Sequence, residues 1–116
     1  MIKQGDIFWV NFEPARGGEV KKRRPAVVVS NDYANAHANR VQVVPITSKK
    51  VNKVYPWEAR VDFGQSGKAM ADQIMTISKK RLGKTVGSVS ADKIEAIDQA
   101  ILIQLSLRIK GNISYL

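Results

Sequence analysis

The sequence predicts a small, mainly antiparallel β fold, a barrel or strongly twisted sheet, with one helix closing an end. Three observations carry this. Short runs rich in β-branched and aromatic residues recur from Asp6 to Ile77, separated by Gly, Pro and polar clusters. The apolar period changes near Ser90 from strand-like alternation to helical spacing. A length of 116 residues, with 44% hydrophobic and 25% charged side chains, is that of one globular domain, residues 1–116, with a core of its own.

Asp6 to Phe12 (DIFWVNF) alternates and predicts the first strand. Glu13 to Gly18 (EPARGG) is a loop broken by Pro14, Gly17 and Gly18, and it continues through four cations to Arg24. Pro25 has no N–H for a ladder and suits the first position of the next strand, Ala26 to Ser30 (AVVVS), which is apolar on both faces and so central. Asn31 to Asn39 (NDYANAHAN) reads as a loop with room for one helical turn. Val41 to Ile46 (VQVVPI) is another buried strand, whose Pro45 points to a bulge or an edge. Thr47 to Lys53 is a basic loop.

Tyr55 to Phe63 (YPWEARVDF) alternates as a strand, and Gly64 to Gly67 is a tight turn. Lys68 to Ile77 (KAMADQIMTI) reads as one strand with Asp72 and Gln73 in its middle. Ser78 to Gly87 is a basic connector anchored by Leu82 and Val86. Ser90 can cap a helix, Asp92 complements its dipole, and Ile94, Ile97 and Ile101 recur at helical spacing, so a helix runs from about Ala91 to Gln104. Ile103, Leu105, Leu107 and Ile109 alternate with polar residues, which leaves 103–109 open to helix or strand.

Composition removes several function classes. With no cysteine there is no disulfide, thiolate metal site or cysteine nucleophile, which fits the cytoplasm. No apolar run reaches the roughly 20 residues of a membrane helix, and MIKQGDIFWV has no signal-peptide core, so a soluble chain with no membrane partner is expected. His37 is the only histidine and reads as an exposed loop side chain, short of a metal site or a Ser-His-Asp arrangement. No phosphate-binding glycine motif precedes the helix. The formal net charge is +9, from 19 Lys and Arg against 10 Asp and Glu, with the excess concentrated in the first half. Such a domain attracts polyanions.

The stretch 17–30, GGEVKKRRPAVVVS, concentrates the question. Lys21, Lys22, Arg23 and Arg24 repel one another unless an anion compensates. Arg24 sits against Pro25 and a buried strand, so its guanidinium, a rigid fork that matches phosphate, is held rather than floating. Thr47 and Ser48 are hydroxyls held at the end of VQVVPI. Glu19 lies in the glycine loop, and Asp72 and Gln73 interrupt an apolar strand. Each of these alone has an ordinary structural explanation: a turn threonine, a paired aspartate, a solvated cationic run. From the residues alone the reading is a basic, β-rich domain that binds nucleic acid.

The same residues resemble the MazF/PemK family of toxin endoribonucleases, in GDIFWVNFEPARGGE (5–19), RRPAVVVSN (23–31), VQVVPITS (41–48), YPWEARV (55–61), AMADQIMTI (69–77) and KKRLGK (79–84). The resemblance covers the chain from Gly5 to about Leu107. It implies a compact SH3-like barrel with a C-terminal helix, a homodimer, and cleavage of single-stranded RNA without a metal or other cofactor. It also implies an antitoxin partner whose acidic, disordered tail covers the RNA-binding surface.

The family's essential arginine falls on Arg24 and its essential threonine on Thr47, with Glu19 a candidate base. Gly18, Lys21, Lys22, Arg23, Ser48, Lys49 and Lys50 would meet RNA, with Lys53 extending the charged track and Asp72 and Gln73 reading or positioning bases. Met75 stands where the family often has an arginine, with Lys79 or Arg81 as replacements for its contacts. The competing readings are a topoisomerase poison like CcdB, whose Trp-Gly-Ile ending is not matched by NISYL here, and a basic nucleic-acid-binding module without turnover.

Overall fold

The computed structural model describes residues 1–19 and 21–108. Seven strands are present: β1 (Asp6–Asn11), β2 (Arg23–Val28), β3 (Arg40–Thr47), β4 (Glu58–Asp62), β5 (Ser66–Met70), β6 (Met75–Ser78) and β7 (Leu82–Ser88). The short helix α1 (Asp32–His37) joins β2 to β3, and α2 (Ala91–Leu105) follows β7. All pairings are antiparallel. The order is β4-β5-β3-β2-β1-β7, with β6 also on β3. The expected barrel is therefore an open sheet among the described residues, since β4 and β7 end the order without pairing to each other. Beside this gap α2 packs on β4 and on the turn after β5, covering apolar surface that closure would otherwise bury.

The central strands are apolar on both faces because each face has its own core. Val27, Val44 and Ile46 join Ile7, Val61, Ala69 and, from α2, Ile97 and Ala100. The alternate residues Ala26, Val28, Val41 and Val43 join Val10, Phe12 and Ile77 on the other face. Strand alternation thus divides the sheet into a face under α2 and an opposite face.

Several elements depart from the sequence reading. KAMADQIMTI is two strands. β5 pairs with Ile46 and Thr47, β6 pairs with Arg40 to Val43, and a 3-10 turn at Ala71–Gln73 separates them. Both halves run along one edge of β3, and the polar Asp72 and Gln73 take up the slack between them. This explains Pro45. It lies in a central strand, not at an edge, but between the β6 and β5 pairings, where that edge of β3 has no ladder partner to lose. The basic connector is in large part β7, which among the described residues is an edge strand paired only with β1 and broken by register shifts. Its Lys and Gly residues are the kind that blunt an edge, and they hid the strand.

β2 begins at Arg23, two residues before Pro25, because Pro25 faces Trp9 in the β1 register and still carries the strand. β4 is shorter than Tyr55–Phe63, and Asp32–His37 forms the single short helix for which the loop had room. The helical reading of 103–105 holds, since α2 ends at Leu105 with Ser106 left-handed at φ 52°. Ile109 lies outside the described residues. Ser90 does not cap α2 through its side chain. Its hydroxyl donates instead to Asp92 at 2.6 Å, and that bond holds the Asp92 carboxyl below its usual range. His37 is exposed, on the last turn of α1, with its ring 4.6 Å from that of Tyr33.

Candidate active site

Arg24 is the second residue of β2 and Thr47 the last of β3. The two strands pair Ala26 with Pro45, Val27 with Val44 and Val28 with Val43. Continued by two residues, this register sets Arg24 across from Thr47. Alternation puts both on the face away from α2, in line with Ala26 and Val28 on one strand and Val41 and Val43 on the other. Thr47 in turn pairs with Lys68 of β5, and Lys68 with Arg60 of β4. One row across the sheet therefore carries Arg24, Thr47, Lys68 and Arg60 where the apolar core of that face runs out.

Arg24, Thr47 and Lys68 are each held by hydrogen bonds, while Arg60 is exposed. Arg24 is half-buried, and its Nε–H donates to the Lys21 carbonyl at 3.1 Å. The two Nη groups carry its four other donors. Thr47 is buried, and its hydroxyl accepts from the Lys49 N–H at 3.1 Å. Because a hydroxyl accepts and donates at once, that bond leaves the Thr47 proton available to a ligand oxygen. Ser48, Lys49 and Lys50 follow directly and are exposed.

The adjoining corner was not read from sequence. Lys68 is only 5% exposed, and its ammonium meets Glu58 Oε1 at 2.9 Å and the Lys53 carbonyl at 2.8 Å. The same Glu58 oxygen accepts from the Tyr55 N–H at 3.0 Å. The Tyr55 and Trp57 rings stack, 4.9 Å apart and 3° from parallel, with Lys53 Nζ 5.1 Å from the Tyr55 centroid. Together these contacts fix the segment that leaves Thr47. Gly67 admits the close approach: a Cβ there would lie 2.6 Å from Phe63 Cε1 and 3.1 Å from the Thr47 carbonyl oxygen.

The β1–β2 loop is attached at several points. Arg81 Nη1 donates to the carbonyls of Asn11 at 3.1 Å and Glu13 at 2.6 Å. Glu13 Oε1 accepts from the Lys22 N–H at 2.7 Å. Gln73 Nε2 donates to the Gly18 carbonyl at 3.3 Å, so the turn after β5 meets the glycine loop. Asp72, beside it, is exposed. Glu19 closes its own turn, its Oε1 accepting from the Arg16 N–H at 2.7 Å and its N–H donating to the Arg16 carbonyl at 3.1 Å. Lys21, Lys22 and Arg23 are exposed.

Both residues named as replacements for an arginine at Met75 make hydrogen bonds within the fold. Lys79 Nζ is committed to the Asn35 carbonyl at 2.6 Å, and Arg81 to the root of the loop. Met75 itself packs against the core on the face away from α2. Among the described residues, no cluster of His, Cys, Asp and Glu is placed to hold a metal ion, and no helix is long and apolar enough to cross a membrane.

A small, basic, open antiparallel sheet with a strand-mounted Arg–Thr pair and a glycine loop beside it defines a class of site suited to a phosphodiester. Comparisons with known proteins give the family. Residues 3–105 match the family of PemK-like, MazF-like toxins of type II toxin–antitoxin systems, and the chain belongs to that family. It is 42% identical over 117 residues to endoribonuclease MazF9 of Mycobacterium tuberculosis, covering 92% of this chain and 98% of that protein. Among solved structures, MazF from Deinococcus radiodurans superposes with a TM-score of 0.81 at 28% identity, over 91% of this chain and 97% of the other. A MazE–MazF complex from the same organism gives 0.73 at 25% identity, over 92% and 97%.

Proposed function

We propose that this chain is the endoribonuclease toxin of a toxin–antitoxin pair, cutting single-stranded RNA, mRNA above all, in the cytoplasm and so arresting translation and growth. The observation that carries the reading is the register of two central strands, which, continued by two residues, sets Arg24, with its fork of phosphate donors, across from Thr47, with its hydroxyl proton. The resemblance to an endoribonuclease over nearly the whole chain supports it.

RNA supplies its own nucleophile, the 2′-hydroxyl, so the protein needs none and no metal enters the scheme. In-line attack on the adjacent phosphate breaks the P–O5′ bond and leaves a 2′,3′-cyclic phosphate and a 5′-hydroxyl. In this scheme Arg24 stabilises charge on the phosphorane oxygens and gives a proton to the leaving oxygen, and Thr47 donates a further hydrogen bond. Glu19 is the candidate base, once its carboxylate exchanges the Arg16 N–H for the 2′-hydroxyl. Gly18, Lys21, Lys22, Arg23, Ser48, Lys49, Lys50 and Lys53 follow the RNA backbone, while Asp72 and Gln73, next to the glycine loop, contact bases.

The same cations would hold the acidic tail of an antitoxin; the similar Deinococcus radiodurans MazF is found in a MazE–MazF complex. A homodimer would cover Ile103, Leu105 and Leu107, apolar side chains left exposed at the end of α2. The test is long RNA incubated with purified protein in EDTA, with ends mapped. Cuts within a short sequence, lost in Arg24→Ala and Thr47→Ala, support the nuclease. Intact RNA with retained binding would instead mark a non-catalytic module, and a stalled topoisomerase a CcdB-like poison.

A further inference from the structure

Glu13 lies eleven residues before Arg24 in sequence, yet a single peptide plane joins them. The peptide between Lys21 and Lys22 carries the Lys21 carbonyl on one side and the Lys22 N–H on the other, and a trans peptide holds these two groups antiparallel. Glu13 Oε1 grips the N–H at 2.7 Å. The carbonyl accepts from Arg24 Nε–H at 3.1 Å.

Lys22 is left-handed, with φ 68°, a conformation that an L residue with a long side chain holds only under local restraint. Here the restraint is on both sides: the Lys22 N–H goes to Glu13, and its carbonyl accepts from the Phe12 N–H at 2.9 Å. Glu13 is itself clamped. Its carbonyl accepts from Arg81 Nη1 at 2.6 Å, and its N–H donates to Asn11 Oδ1 at 3.0 Å.

We infer that Glu13 is a positioning residue for Arg24: by fixing the 21–22 peptide plane it sets the direction in which the Arg24 guanidinium presents its Nη donors. The inference rests on the endoribonuclease reading for its catalytic consequence. The hydrogen-bond relay itself does not. Glu13 touches no reacting atom in this scheme, and no proton passes through it.

The experiment compares wild type with Glu13→Ala and Glu13→Gln in the full-length protein. Because Glu13 is exposed, both variants should fold with melting temperatures close to wild type. Two readouts are taken: steady-state cleavage of an RNA of mapped sequence, and the solvent-exchange rate of the Arg24 Nε–H by NMR. In Glu13→Ala the exchange rate should rise and kcat should fall about 10-fold to 100-fold, with KM within about twofold of wild type. Glu13→Gln keeps an acceptor oxygen and should restore both to within about threefold.

Equal losses in the Gln and Ala variants would overturn the proposal in favour of a charge effect. A slower Glu13→Ala enzyme with unchanged Nε–H exchange would overturn it as well. If wild type leaves RNA intact while its Arg24 Nε–H is protected and Glu13→Ala exposes it, the endoribonuclease reading falls and the positioning role stands.

Discussion

Lys22 and Arg24 stand two residues apart and are held by different means. Arg24 belongs to a strand with neighbours on both sides, in a row that continues through Thr47 to a buried ion pair. Lys22 belongs to a loop fastened by individual hydrogen bonds, with its ammonium in solvent. A charge on a loop of this kind attracts an anion over a distance set by screening and does not define where a phosphorus atom sits. The Arg24 guanidinium, on a strand and with its Nε already committed, has a fixed place. Precision comes from the sheet, attraction from the loop.

The contrast can be broken at its strongest point. Glu58→Ala leaves the Lys68 ammonium buried without its carboxylate and should cost about 3–5 kcal/mol in urea denaturation, whereas replacing both partners with apolar residues should recover most of that. Arg24→Ala should lower kcat about 10²-fold to 10³-fold in the RNA assay while the melting temperature stays near wild type. A comparable loss of stability would mean that Arg24 supports the fold rather than the chemistry.

Gly67→Ala forces β5 away from the Thr47 carbonyl and should cost about 1–3 kcal/mol, with cleavage reduced in protein that remains folded. The smallest effect belongs to the loop. Replacing Lys21 and Lys22 with Ala should flatten the salt dependence of RNA affinity by about 0.7 in logarithmic slope per lost contact, with the cut sequence and kcat unchanged. An altered cut site with an unchanged slope would assign reading to the loop and reverse the comparison.

The precise half of this contrast was legible in the sequence and much of its support was not. Arg24 and Thr47 stand out because each borders an apolar strand, and a strand end is a fixed place. The Lys68–Glu58 pair did not stand out. KAMADQIMTI reads as one strand, and nothing in that pattern marks Lys68 as the cross-strand neighbour of Thr47. Arg81 bonds residues 68 and 70 positions away, a separation that no local pattern records. β7 was missed for a related reason: most of its residues are exposed, and burial is what writes periodicity into a sequence. Glu19 was found by its place in the loop, and the structure ties its carboxylate to Arg16.

The exchange of partners along β3 also matters for motion. One end of the strand is zipped to β6 and the other to β5, with Val44 and Pro45 as the joint between them. Opening of β6 from Arg40 to Val43 breaks no bond between β3 and β5, so the two ends can fray as separate units. Amide protons of Met75 to Ser78 can therefore exchange with solvent while those of Lys68 and Ala69 stay protected, and the Arg–Thr row outlasts fluctuations at the far end of its own strand.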